Sequence, residues 1–316
     1  MKDQLHIKTP LIRSDKLERL LNKEVFLKIE TLQPTGSFKN RGIGRLCIHY
    51  AKQGARCLIS SSGGNAGLAA AYSGRMLGVA VKVVVPTTTL PMMRKKIEAQ
   101  GAEVIIHGEQ WSEADMLARS LVEQENGDYI PPFDHPLIWE GNATLIHEVA
   151  QEGVQPEAIV LAVGGGGLLC GIVQGMQDVG WPIIPLFAAE PTGAASLAAA
   201  MSSGKVISLE SVDTIASSLA AKKVAEQAWL YTRHFPIFSQ LVTDKQAIDA
   251  CCSFAQDQLI LVEPACGVAL APLYGNFVEL VSYKSILVVV CGGSAVNCDL
   301  LTSWTKELSN NKLNGS

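Results

Sequence analysis

The chain has 316 residues, 48% hydrophobic and 18% charged, with a formal net charge of -4. That length and apolar content suffice for a large core and two domains, while the mildly acidic balance, with no lysine or arginine cluster, speaks against nucleic acid and anionic membranes as partners. No apolar run approaches the roughly 20 residues that span a bilayer, and Met1-Lys2-Asp3-Gln4 leads into no signal-peptide stretch, so a cytoplasmic protein is expected.

Short β-rich apolar runs alternate with helical patterns, which predicts parallel sheets covered by helices. The strand Val25 to Ile29 runs into Pro34-Thr35-Gly36-Ser37-Phe38-Lys39. There Pro34 and Gly36 fix a tight turn, Ser37 is placed to cap the next helix, and Lys39 falls at the electropositive helix start. That position lowers an amine's pKa, and a neutral amine forms a Schiff base with an aldehyde. The strand Arg56 to Ser60 precedes Ser61-Ser62-Gly63-Gly64-Asn65-Ala66-Gly67 and a small-residue helix from about Ala66 to Leu77. Backbone N–H groups at such a turn suit a carboxylate or a phosphate, and the same residues also fit a plain N-cap at Asn65 or Ser62.

Strands follow at Ala80 to Val85 and Glu103 to His107, and then the paired prolines of Tyr129 to Asp134 interrupt both helix and strand, marking a hinge. The strand Ala158 to Val163 ends in Gly164-Gly165-Gly166-Gly167, ahead of a helix from Leu168 to Gln177. Four glycines lose much entropy on folding, so the backbone there must approach something closely, most often a phosphate. Two further strands run from Pro185 to Ala189, just before Glu190, and from Ile286 to Cys291; after Trp304 the chain turns polar and is expected to fray. The eight cysteines make no CxxC pair and read as reduced thiols, and six scattered histidines give no zinc site or Ser/His/Asp triad.

With the lysine turn, the Ser/Gly/Asn turn and the glycine run in this order, the chain resembles the fold-type II pyridoxal 5'-phosphate (PLP) enzymes, and within them the short L-serine/L-threonine dehydratases. The likeness extends from about His6 to Leu301 and includes Pro131 to Asp134, Leu137 to Gly141, Val262-Glu263-Pro264-Ala265-Cys266-Gly267 and Val290 to Ser294. It implies a tryptophan synthase β-like fold of two parallel-sheet α/β domains. The large, PLP-binding one would comprise 1-38 and 133-316, the small one 39-132, with the active site between them at the carboxyl ends of the strands. It also implies a homodimer, an amino-acid substrate and a role in amino-acid metabolism and gluconeogenesis.

By the same resemblance Lys39 is the Schiff-base lysine and the base for the substrate Cα proton, and Phe38 packs on the cofactor ring. Asn65 bonds the ring's 3'-oxygen. Ser62, Gly63, Asn65 and Ala66 hold the substrate carboxylate, Gly164 to Gly167 hold the phosphate, and Ser218 and Cys291 complete the cofactor site. A thiol is a weak partner for the pyridine nitrogen, which favours elimination over transamination or racemisation. Gly63 offers no proton donor on the face opposite the lysine and leaves its turn loose, so alanine at 63 is expected to raise turnover. Glu190 with Gly164, Ala194, Ser196, Leu219 and Ala221 matches a monovalent-cation (K+) site, although Ser217-Ser218-Leu219-Ala220-Ala221 lacks the glycine usual after the leucine.

Two other readings compete. A cysteine-synthase type β-replacement enzyme shares fold and cofactor, but a threonine typically follows its Gly-Asn pair, where this chain has Ala66. A nucleotide-binding module would use a glycine turn and Glu190, but with Gly164 or Gly165 counted as the first position the sixth is Leu169 or Cys170 rather than glycine, and no GxxxxGK[ST] occurs.

Overall fold

The computed structural model describes residues 3–310. Strands β1 (Leu11–Arg13), β2 (Glu24–Ile29), β3 (Cys57–Ser60), β4 (Ala80–Val85), β5 (Glu103–Ile106), β6 (Asp128–Ile130), β7 (Ala158–Ala162), β8 (Leu186–Pro191), β9 (Ile237–Val242) and β10 (Ser285–Val290) form two sheets. The six-stranded sheet has the order β1-β2-β10-β7-β8-β9, and the four-stranded sheet β5-β4-β3-β6. All pairings are parallel except one: β1 runs antiparallel to β2 along the edge. The periodicity missed β1, β6 and β9, because three-residue strands carry no period and edge strand β9, Ile-Phe-Ser-Gln-Leu-Val, does not alternate, exposing Phe238 and Leu241 while burying Gln240. Central β7, Ala-Ile-Val-Leu-Ala, is buried throughout, as expected of a parallel strand covered on both faces.

Pro131 and Pro132 stop β6 where the paired prolines were read. The polar end does not fray where it is described: a helix runs Cys298–Asn310, and only 311–316 of that stretch lie outside the described residues.

What places the chemistry is the crossing of the helices Lys39–Lys52 and Pro136–Gln151. A Cβ on Gly141 would sit 2.4 Å from the Arg41 carbonyl oxygen, and one on Gly42 would sit 2.6 Å from that of Ile138. The two backbones touch, so the first turn bearing Lys39 has one position. No helix among the described residues is long and apolar enough to cross a membrane.

Candidate active site

The loops after β2, β3, β7 and β10 meet at the carboxyl ends of their strands, where open α/β sheets bind ligands. Lys39 opens the helix Lys39–Lys52, but Ser37 does not cap it. Phe38 is the N-cap residue with no side-chain bond, and the buried Ser37 hydroxyl has no partner among the described residues. Tertiary bonds hold the turn instead: Phe38 N donates to Cys291 O at 3.2 Å, Gly293 N to Gly36 O at 2.7 Å, and Thr35 N and Oγ1 to Asn40 Oδ1 at 3.0 and 2.6 Å. Lys39 Nζ donates to Pro132 O at 2.5 Å and lies 5.2 Å from the centre of the Phe38 ring. Burial lowers its pKa to about 8, against the upward pull of Cys291 and Glu263. The lowered amine was anticipated; its main cause is desolvation rather than the helix end.

Asn65 begins the helix Asn65–Leu77, and Gly64 is the N-cap, so neither Asn65 nor Ser62 caps it. The Asn65 side chain turns across the cleft. Its Nδ2 donates to Glu263 Oε1 at 2.8 Å and Ser218 Oγ at 3.2 Å, and its Oδ1 accepts from Ser294 N at 2.9 Å. The N–H groups of Asn65 and Ala66 have no acceptor among the described residues and, beside Ser62 and Gly63, form an anion cradle.

The glycine run opens the helix Gly167–Asp178 with Gly166 in the left-handed region at φ 88°. Packing against protein demands these glycines directly. A Cβ would stand 2.8 Å from Leu219 Cα at Gly164, 2.4 Å from the Phe133 ring at Gly165, 2.5 Å from Ala228 Cβ at Gly166 and 2.6 Å from Phe133 O at Gly167. On the other side, the amides of Gly165, Gly166, Gly167 and Leu168 find no acceptor among the described residues, leaving donors aligned for an anion.

Cys291 is buried behind Phe38, and its contact with Cys266, together with desolvation, pushes its thiol well above the ordinary range, so it stays neutral. Glu190 is fully buried, with its Oε1 accepting from Leu197 N at 2.7 Å and its Oε2 from Ala198 N at 2.8 Å. It therefore serves the start of the helix Ser196–Ser203, a use the strand pattern did not show. Ser196 Oγ lies 3.5 Å from Gly164 O, and the Gly164 backbone packs on Leu219, bringing three of the expected cation residues together. Ala194 lies in the 3-10 turn Thr192–Ala194 before that helix, and Ala221 N donates to Leu219 O at 2.7 Å. Ala220, where glycine was missed, sits at φ -73°, which any residue adopts.

Glu263 was not singled out among the site residues. It is 3% exposed, it accepts from Asn65 and from Ala295 N at 3.2 Å, and desolvation raises its pKa against the bonds from Ser218 and Asn65. The available signal was one acid between the apolar runs Leu259-Ile260-Leu261-Val262 and Ala265-Cys266-Gly267-Val268.

These groups fit PLP: Lys39, with its pKa lowered to about 8, would take the aldehyde, the amides without acceptors among the described residues would hold the phosphate, and the Asn65 side chain and the uncharged Cys291 thiol would face the ring. The family model described as pyridoxal-phosphate dependent enzyme matches residues 2–292, and the chain belongs to that family. Human L-serine dehydratase/L-threonine deaminase is 43% identical over 316 residues, covering 97% of this chain and 96% of the relative. The crystal structure of a fungal L-serine ammonia-lyase from Rhizomucor miehei aligns with TM-score 0.92 at 37% identity, over 96% of this chain and 99% of the other. The processed form of threonine deaminase isoform 2 from Solanum lycopersicum aligns with TM-score 0.87 at 27% identity, over 96% and 83% of the two chains.

Proposed function

We propose that the protein is a PLP-dependent L-serine and L-threonine ammonia-lyase, converting serine to pyruvate and threonine to 2-oxobutanoate with release of ammonia. The observation that carries this reading is the Lys39 amine, lowered to about 8, at the meeting of two sets of unpartnered backbone amides. PLP supplies the electron sink that makes an amino acid's Cα proton removable. The rest belongs to the chain. The cradle at Ser62, Gly63, Asn65 and Ala66 holds the substrate carboxylate, and Gly164 to Gly167 fix the opposite end of the site. Lys39 Nζ takes the Cα proton. Gly63 carries no side chain and so supplies no second acid/base opposite Lys39, and the β-hydroxyl takes up a proton and departs as water rather than the Cα proton returning from the far side. The released enamine hydrolyses to oxo acid and ammonia.

The same reading divides the chain into a large PLP-binding domain of 1-38 and 133-316 and a small domain of 39-132. The two separate sheets and the Pro131-Pro132 break support that division. The family likeness supports a cytoplasmic homodimer acting in amino-acid breakdown toward gluconeogenesis, and the convergence of Gly164, Ser196 and Leu219 supports a K+ site with Glu190, Ala194 and Ala221.

The test is the visible absorption of the purified protein together with an oxo-acid assay on L-serine, L-threonine and D-serine, with and without sulfide. Pyruvate from L-serine, unaffected by sulfide, is expected. Cysteine formation with sulfide would assign the protein to β-replacement instead.

A further inference from the structure

Glu263 is a buried acid for which the reaction above has no use. It stands as N-cap of the helix Pro264–Tyr274, yet its side chain makes no capping bond and turns into the cleft. The partners within hydrogen-bond reach of its carboxyl group are neutral: Asn65 Nδ2, Ala295 N and the Ser218 hydroxyl. The fold reserves room for it. A Cβ on Gly293, which sits at φ 131°, would stand 1.9 Å from Glu263 Cδ.

A carboxylate buried against neutral donors alone is costly, and in a cleft it marks function more often than scaffold. We propose that Glu263 is a positioning residue of the active cleft, clamping the Asn65 amide from across the cleft. This rests on the PLP-enzyme reading of the site.

The clamp follows from the amide's valences. With Nδ2 donating to Glu263 and Ser218 and Oδ1 accepting from Ser294 N, flipping Asn65 would set its oxygen against a carboxylate. The groups that act electrostatically with Glu263 are Lys39 on its helix start, Lys96 on the helix Pro91–Glu98, and the thiols of Cys251 and Cys291; Cys266 lies on Glu263's own helix. Cys251 also donates from Sγ to Glu263 O at 3.5 Å. The thiols of Cys251 and Cys291 are pushed well above their ordinary range and stay neutral. Lys39 and Lys96 each donate to a backbone carbonyl at 2.5 Å, that of Pro132 and that of Ser294.

The experiment uses Glu263→Gln and Glu263→Asp in the full-length protein. PLP uptake is read from visible absorbance against pH, with the PLP dissociation constant and the kcat and KM for L-serine. Glutamine keeps an acceptor for Asn65 and removes the charge. PLP affinity and kcat should therefore stay within about threefold of the unmodified protein. Aspartate keeps the charge but draws the acceptor back by one methylene, so PLP should bind about tenfold more weakly and kcat should drop about tenfold with KM changing less than about threefold. Should the glutamine variant fail to fold, the aspartate variant decides. A loss in Glu263→Gln as large as that in Glu263→Asp, or unchanged PLP affinity in Glu263→Asp, overturns the proposal. PLP uptake needs no substrate, so failure of the serine-lyase reading would appear separately, as absence of oxo acid from the unmodified protein.

Discussion

The Arg41 guanidinium meets the Glu30 carboxylate in a two-bond fork, Nε to Oε2 and Nη2 to Oε1 both at 2.7 Å, with neither side chain exposed. Glu148 takes two further bonds from Arg41, at 2.7 and 2.8 Å, and is itself paired with the buried Lys28 at 2.6 Å. Two cations and two anions thus neutralise one another inside the protein. Because Arg41 lies two residues after Lys39, they also pin the turn that carries the reactive amine.

Breaking this network should be costly, since removing one member leaves an opposite charge buried and unpaired. Arg41→Ala should lose about 3–5 kcal/mol of stability in urea denaturation. Arg41→Lys should recover only part of it, because an ammonium cannot reproduce the fork. A loss below about 1 kcal/mol in Arg41→Ala would show that the network is not what holds the turn.

Lys39 gives a pH prediction. A base whose pKa drops from 10.5 to about 8 on folding binds its proton less well in the folded state. In the apoprotein this contribution is unfavourable below about 8 and is relieved as the pH rises toward 10.5. PLP uptake should therefore rise with a midpoint near 8. Lys39→Ala should remove both the visible absorption and oxo-acid formation while circular dichroism stays unchanged. Normal turnover by that variant would end the assignment.

Gly63 must be treated together with Thr89. A Cβ on Gly63 would stand 2.5 Å from Thr89 Oγ1 and 2.6 Å from its Cγ2, so the space into which an alanine was expected to fit is already taken. Gly63→Ala alone should lower L-serine turnover, in contrast to the gain expected from the sequence. With Thr89→Ala only the Thr89 Cβ remains, at 3.2 Å, and the double variant should recover activity. Strict additivity of the two substitutions in kcat/KM would show that they do not meet.

Glu190 already accepts two backbone N–H groups, so it has a structural role with or without a cation. If potassium binds there, the thermal midpoint should rise in potassium over a bulky organic cation at constant ionic strength, and Glu190→Gln should erase that rise. Glu190→Ala should in addition cost about 1 kcal/mol through the lost cap. Loss of the cap contribution with no potassium response would leave Glu190 as a cap alone.

Local chemistry was legible in the sequence wherever one stretch of chain carries it. A strand followed by Pro34 to Lys39, by Ser61 to Gly67 or by Gly164 to Gly167 announces a turn, a helix start and a bare backbone, because glycine, proline and apolar period act over a few residues. The parallel sheets, a lysine at a helix start and two glycine turns ahead of helices were readable on that basis. What the sequence could not fix depends on residues far apart in the chain. The order β1-β2-β10-β7-β8-β9 joins the first strands to the last. The Lys39 amine is lowered by burial among segments about 100 and 250 residues away, around Pro132 and Cys291. Ser37 looked like a cap but gave that role up to bonds with the 291–293 loop. Glu263 and Thr89 could not be given roles as letters, since an acid among apolar residues and a threonine in a loop gain meaning only from the partners that folding sets against them, the Asn65 amide and the bare Cα of Gly63.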